Sequence, residues 1–291
     1  MAYGSAFRSD LFQNQVVLVT GGGSGIGRCV AHELTALGAA VAIAGRKPEK
    51  LDAVAAEIAD AGGTVSTHIC DIRQDDQVAA MVEAVLARHG RIDGLFNNAG
   101  GQFYAPIEEI STNGFNAVVS TNLVGGFIVM REVFKRWMKA NGGAIVNMTA
   151  DVWMGLPAFP HSGAARAGME SLTQSTAAQW AAHGVRVNSI APGGIESSGF
   201  DNYSGEFQEI LRNSPRSIPA QRFGTVSEVS AGVVFLLSPA AAFITGTSLR
   251  VDGGGPNARS GWMPGKPACL PAFSGFHLPS SPRIFDGQGD T

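Results

Sequence analysis

A short apolar run, Val16-Val17-Leu18-Val19, breaks into Thr20-Gly21-Gly22-Gly23-Ser24-Gly25-Ile26-Gly27 and resumes as a helix-like stretch that ends at Leu37-Gly38. Strand, glycine turn and helix in that order constrain the chain more than any other feature. Glycines let the backbone approach a pyrophosphate closely. The helix N-terminus behind them adds unpaired N–H groups and the positive end of a dipole. A dinucleotide is therefore the expected guest, with Gly21, Gly23, Ser24, Gly25 and Ile26 around it. The spacing of Gly21, Gly25 and Gly27 departs from the G-x-G-x-x-G fingerprint, so the turn by itself also fits a plain glycine-rich loop.

The next apolar run, Ala40-Val41-Ala42-Ile43-Ala44, ends where an acid would grip a ribose 2′-hydroxyl. No acid stands there. Gly45-Arg46-Lys47 takes the place, and a guanidinium pairs bidentately with a 2′-phosphate. Arg46 and Lys47 thus favour NADP(H) over NAD(H), the alternative being that they are a solvated turn.

Beyond this unit, apolar strands and amphipathic helices alternate. Helices are expected near Glu49–Ala61, Asp75–His89, Asn113–Ala140 and Ser162–Ala182, and strands at Thr64–Cys70, Gly94–Asn97, Ala144–Met148, Val185–Ile190 and Ser248–Val251. Repeated βα units with short links predict an α/β fold, a doubly wound, mostly parallel (Rossmann) sheet with helices on both faces. Ligands in such sheets sit at the carboxyl ends of the strands. Asp71-Ile72, Asn97-Asn98-Ala99-Gly100, Thr149-Ala150-Asp151 and Ala191-Pro192-Gly193-Gly194 fall there and are candidate pocket walls, with Ile195 beyond.

A length of 291 residues, 45% of them hydrophobic, is enough to bury a sizeable core as one domain, assigned to residues 1–255. From Pro256 to Thr291 prolines and the aromatics Trp262, Phe273, Phe276 and Phe285 appear without a period; this reads as a tail lying along its own or a neighbouring subunit. A net charge of −3 with no basic tract argues against nucleic acid or an anionic membrane as partner. The run near Val233–Leu237 is too short to span a bilayer, and residues Met1–Gln13 lack an export-type apolar segment. Cys29, Cys70 and Cys269 are far apart and without metal spacing, so reduced thiols, no metal site and a cytoplasmic setting are expected.

These motifs together resemble the short-chain dehydrogenase/reductase family over roughly residues 14–255. The match rests on Thr20-Gly21-x-x-x-Gly25-Ile26-Gly27, Asp71, Asn97-Asn98-Ala99-Gly100, Thr121-Asn122-Leu123, Ala191-Pro192-Gly193 and Val251-Asp252-Gly253-Gly254. The resemblance implies that Asp71 meets the adenine, that the Asn98, Ala99 and Gly100 loop lines the cofactor, that the loop after Pro192 faces the nicotinamide, and that Asn122 helps hold a catalytic water. It also implies a homo-oligomer, dimer or tetramer, built on the two long apolar helices. Their small residues Gly125, Gly126, Gly168 and Ala178 permit close approach of another chain or internal packing.

The family's catalytic core is a Ser, a Tyr and, one helical turn on, a Lys. Alignment on Arg166-Ala167-Gly168 puts Thr149 at the Ser, Ser162 at the Tyr and Arg166 at the Lys. Thr149 keeps a hydroxyl and Arg166 a fixed positive charge for the ribose. Ser162 does not replace a phenol, because an alcohol gives up its proton far less readily. Ordinary alcohol oxidation thereby loses its general base.

A conjugated thioester asks for less. Hydride adds to the β-carbon, charge gathers on the carbonyl oxygen, and hydroxyls of Ser162 and Thr149 are expected to stabilise it at ~3 kcal/mol per preorganised donor. The run His161-Ser162-Gly163-Ala164-Ala165-Arg166 is similar to the peroxisomal trans-2-enoyl-CoA and dienoyl-CoA reductases, which lack the Tyr. Candidate proton sources are Asp151, if burial raises its pKa, and His161, each of which also fits a purely structural role. Water is a third proton source for the α-carbon, and Tyr203, in the loop after Pro192, either reaches the substrate or, as is commoner for a loop tyrosine, serves as a hydrophobic lid residue. The expectation is an NADP(H)-dependent reductase of an enoyl-CoA-like thioester or related carbonyl. The alternatives are an alcohol or aldehyde dehydrogenase on acyclic terpenoids, and a non-catalytic NADP-binding sensor or structural subunit.

Overall fold

The computed structural model describes residues 3–203, 205–258 and 271–285. Seven parallel strands form the sheet: β1 (Val16–Thr20), β2 (Ala40–Gly45), β3 (Thr64–Ile69), β4 (Gly94–Asn97), β5 (Gly143–Met148), β6 (Val185–Pro192) and, last in the chain, a strand at Ser248–Val251. Their spatial order runs β3-β2-β1-β4-β5-β6 and then Ser248–Val251. The chain reverses direction across the sheet between β1 and β4, so the loops leaving Thr20 and Asn97 diverge and open a crevice.

Both sheet faces are covered, which is why the strands read as nearly continuous apolar runs. Val17, Val19, Val41 and Ile43 pack with Val30 and Leu34 of α1 (Gly25–Ala36) and with Leu51 and Ile58 of α2 (Pro48–Asp60). Val16, Leu18, Ala42 and Ala44 point the other way. They meet Val78 and Val82 of α3 (Asp75–His89), Val129 and Val133 of α4 (Thr112–Asn141), and Ala177 of α5 (Pro160–Trp180). A fully buried Leu or Ile at such a position contributes ~1.5–3 kcal/mol. A seated apolar strand on each side therefore fixes the register of every loop at the carboxyl edge.

Helix α4 is long and apolar enough by length and composition to cross a membrane, the one such helix among the described residues, and 56% of its apolar window is buried within the fold. That apolar stretch exceeds the Val233–Leu237 run singled out from sequence. Helix α5 begins at Pro160 rather than Ser162, because proline's missing N–H costs nothing in a first helical turn. Sequence periodicity did not resolve α6 (Glu206–Asn213) or the two-residue parallel pair Ile195–Glu196 and Gly224–Thr225. The apolar run near Val233 is the end of α7 (Val226–Leu237), whose N-terminus is closed by a capping box of Thr225 and Glu228.

The small residues expected to admit another subunit are mostly occupied internally. A side-chain carbon on Gly125 would meet Ile72, one on Gly126 would meet Met169, and one on Gly168 would meet Leu123. Ala178 alone of the four is exposed. The tail, where described, lies along its own chain: Gly4 N–H donates to Gly275 O at 2.8 Å, and buried Phe276 sits 5.1 Å from the Arg28 guanidinium. Trp262 and Cys269 lie outside the described residues, while Cys29 and Cys70 are buried free thiols.

Candidate active site

The crevice at the switch point holds two adjoining cavities of about 320 and about 380 Å³ that share Gly21, Ser24, Ala99 and Gly100 as walls. They are two halves of one cleft. Its floor is tied together by Thr20, whose Oγ1 accepts from the Asn98 and Ala99 N–H groups at 2.9 and 3.0 Å. Asn98 Nδ2 returns a bond to Thr20 O at 2.9 Å, joining the ends of β1 and β4. Gly21 adopts φ +67°, and a side chain there would run into Asn98, so the turn needs glycine.

Ser24 stands at the N-cap of α1, yet its hydroxyl makes no capping bond, which leaves the first-turn N–H groups to whatever enters the cleft. Gly23 and Ser24 line one half, and Ile26 lines the other; beside Gly25 there is open space. Arg46 and Lys47 are exposed on the wall of the first half and form no ion pair among the described residues. Asp71 and Ile72 line the same half, together with Arg73, which sequence reasoning did not single out. Arg73 grips the Asp71 carboxylate at 2.5 Å and holds its pKa below the usual carboxylate range.

In the second half, Thr149, Arg166, Pro192, Gly193 and Ile195 converge with Gln102, Phe200 and Tyr203. A local π-type turn at Ser120–Gly125 within α4 carries Asn122 inward. Asn122 Oδ1 accepts from Gly101 N at 2.8 Å and its Nδ2 donates to Ser162 Oγ at 3.2 Å. Arg166 Nη1 donates to Met148 O at 2.6 Å. A side-chain carbon on Gly100 would fall 2.9 Å from Asn122 Oδ1 and closer still to the guanidinium, so Gly100 makes room for both. Arg166 pairs with no carboxylate among the described residues, and burial alone lowers its pKa to about 10, so it remains a cation at neutral pH.

Four candidate catalytic residues are placed otherwise than expected. Thr149 lines the cavity, but its hydroxyl hydrogen is donated to Ile190 O at 3.0 Å and so is not available to an oxyanion. Ser162 is fully buried against Asn122 and is not a wall residue. Asp151 lies outside the cleft. Its carboxylate sits beside Gly255, and burial together with Asp252 pushes its pKa up while Arg250 opposes. His161 is fully buried, with neither ring nitrogen in a well-formed hydrogen bond among the described residues and Phe103 edge-on at 4.4 Å; burial holds its pKa below the ordinary value, opposed by the backbone of Phe159. Of the six, Arg166 and Thr149 face the cavity, and Asn122 braces the wall behind them.

A cleft with an uncapped helix N-terminus, a glycine turn and, among the described residues, an uncompensated guanidinium suits an elongated anion with a pyrophosphate at its centre. The comparisons agree with that chemistry. Residues 21–255 match the family model described as Enoyl-(Acyl carrier protein) reductase. A peroxisomal 2,4-dienoyl-CoA reductase of Danio rerio is 36% identical over 255 residues, covering 87% of this chain and 85% of that protein. The structure of a citronellol catabolism dehydrogenase (AtuB) from Pseudomonas aeruginosa PAO1 is 50% identical with a TM-score of 0.79, covering 87% of this chain and 99% of that one. The structure of a putative NAD(P) dependent gluconate 5-dehydrogenase from Beutenbergia cavernae, with NADP bound at low occupancy, is 32% identical with a TM-score of 0.79, covering 86% of this chain and 99% of that one. The chain belongs to the short-chain dehydrogenase/reductase family. It is an oxidoreductase that uses a nicotinamide cofactor.

Proposed function

We propose that the protein is an NADP(H)-dependent reductase of conjugated carbonyl compounds, with an enoyl thioester on an apolar chain as the first substrate class. The observation that carries this reading is Arg166, a cation beside Thr149 without a carboxylate partner among the described residues, on a helix where Ser162 replaces the family's phenol. A bound reduced nicotinamide supplies the hydride. Arg166 then neutralises charge gathering on the carbonyl oxygen, a task that needs a fixed donor rather than a strong acid. Thr149 Oγ1, its hydrogen given to Ile190, presents lone pairs and orients the substrate or the ribose. Phe200 and Tyr203 offer an apolar wall for the chain. Arg46 and Lys47, exposed and without ion pairs among the described residues, support a 2′-phosphate at the other end.

A second reading, oxidation of an acyclic terpenoid alcohol, is favoured by the 50% identity to the citronellol dehydrogenase. The deciding experiment follows NADPH consumption with short and long trans-2-enoyl-CoA esters beside ketones and terpenoid aldehydes. Turnover of the enoyl esters alone bears out conjugate reduction, carbonyl turnover alone favours the second reading, and silence on all favours a cofactor-binding sensor.

The exposed Phe115, Val124 and Phe127 on α4 support a homo-oligomer. Light scattering on Phe127→Glu should then report a smaller species than wild type, and an unchanged mass would remove α4 from the contact. We further propose a cytoplasmic setting, in keeping with the unpaired Cys29 and Cys70; a fluorescent fusion found outside the cytoplasm would refute it.

A further inference from the structure

Resting on conjugate reduction as the reaction, we infer that Tyr203 is a catalytic residue, the acid that delivers a proton to the substrate's α-carbon from the loop opposite α5. The second half of the cleft has only two titratable side chains among its described walls, Arg166 and Tyr203. Arg166 stays charged and holds its protons. The other two tyrosines are elsewhere: Tyr3 donates to Glu33 at 3.1 Å, and Tyr104 stacks on Phe207 at 4.6 Å and is not a wall residue.

Tyr203 is held as an acid needs to be. Gln102 Nε2 donates to its hydroxyl oxygen at 3.0 Å, so the phenolic hydrogen is not spent on that bond and is free to face a substrate. Its ring packs edge-on against Phe207 at 4.9 Å and tilted against Phe159 at 5.5 Å. Those contacts fix the direction of the C–O bond. A residue serving only as an apolar lid would not need an amide aimed at its oxygen. Burial also raises the phenol's pKa, which keeps it protonated until a stronger base, the enolate carbon, is presented.

The step balances. Hydride has added to the β-carbon and the electron pair of the C=C bond has moved onto the α-carbon and carbonyl oxygen, beside Arg166. The Tyr203 O–H bond breaks as a C–H bond forms at the α-carbon. The resulting phenolate accepts the Gln102 N–H bond and is reprotonated by water. One hydride and one solvent proton have then been consumed.

Tyr203→Phe tests this, since the ring and its packing remain. With trans-2-enoyl-CoA esters kcat should fall ~100-fold or more, the scale of general-acid catalysis, with KM little changed. Calorimetric binding of NADP(H) and of the saturated acyl-CoA should match wild type. In deuterated water the wild-type product should carry deuterium on one face of the α-carbon, whereas the slow variant should lose that preference. Gln102→Leu should lower kcat less. If the wild type reduces enoyl esters and Tyr203→Phe keeps kcat within about twofold and the facial preference intact, Tyr203 is a lid and this assignment falls while the proposed function stands. If the wild type reduces none of them, both fall.

Discussion

Arg46 and Lys47 stand exposed, without ion pairs among the described residues, whereas Arg73, in the same half of the cleft, is already committed to Asp71. A 2′-phosphate would gain new charge-assisted bonds from the first two, each worth ~1.5–3 kcal/mol. Replacing both with Ala should therefore weaken NADPH binding by ~100-fold or more and leave NADH nearly unaffected, as titration of protein fluorescence can measure. Equal loss for both cofactors would make them a general phosphate site. At this scale the sequence was legible wherever a residue's direction follows from a backbone motif. Gly21, Ser24, Asn98 and Pro192 line the cleft because they end strands or open a helix. It was illegible for Asp151 and Tyr203, whose directions depend on loops packed by distant partners. Asp151 turned toward Gly255, and Tyr203 was fixed by Gln102, 101 positions away in the chain. The one-hydrogen limit on the Thr149 hydroxyl was equally invisible until Ile190 O was seen to take it.

Elements with a strong period were legible, and elements held by few contacts were not. The strands of the parallel sheet read directly from apolar runs because both faces are buried. The pair Ile195–Glu196 and Gly224–Thr225 has too few residues to show alternation. The tail has no period because it is pinned one residue at a time: Phe276 N–H donates to Ser227 Oγ at 3.0 Å, and Thr225 Oγ1 donates to Phe273 O at 2.6 Å. Phe276 is the tail's buried anchor, 6.0 Å from Tyr3 and 5.2 Å from His32. Phe276→Ala should cost ~3 kcal/mol, lowering Tm by roughly 5 °C for a chain of this size. Unchanged thermal melting would mean that the tail packs without contributing stability.

The whole molecule carries its histidines in a way that sets its response to acid. His32, His68, His89, His161 and His277, five of the six, are held below the ordinary imidazole pKa, burial being the largest cause for each. A group whose folded pKa lies below its unfolded one takes up its proton first in the unfolded chain. Acidification then favours unfolding, and the stability lost begins to go as pH falls through about 6.5. His68, lowered to about 4 by burial with the charges of His89 and Arg88 added, widens that window furthest. The carboxylates held low by cations, Asp71 and Glu228 among them, lose their contribution only at lower pH. Each proton bound in excess by the unfolded state steepens the decline by ~1.4 kcal/mol per pH unit. Denaturant midpoints should therefore fall steadily between about pH 6.5 and about pH 4, and His68→Gln, which removes one of those protons, should flatten the decline. An unchanged slope in His68→Gln would show that His68 titrates alike in both states. The same Ser66 hydroxyl that contacts His68 at 3.0 Å also contacts His89 at 2.9 Å. A double substitution should consequently flatten the curve by less than the two single ones together, because removing His89 already relieves part of the repulsion that His68 feels.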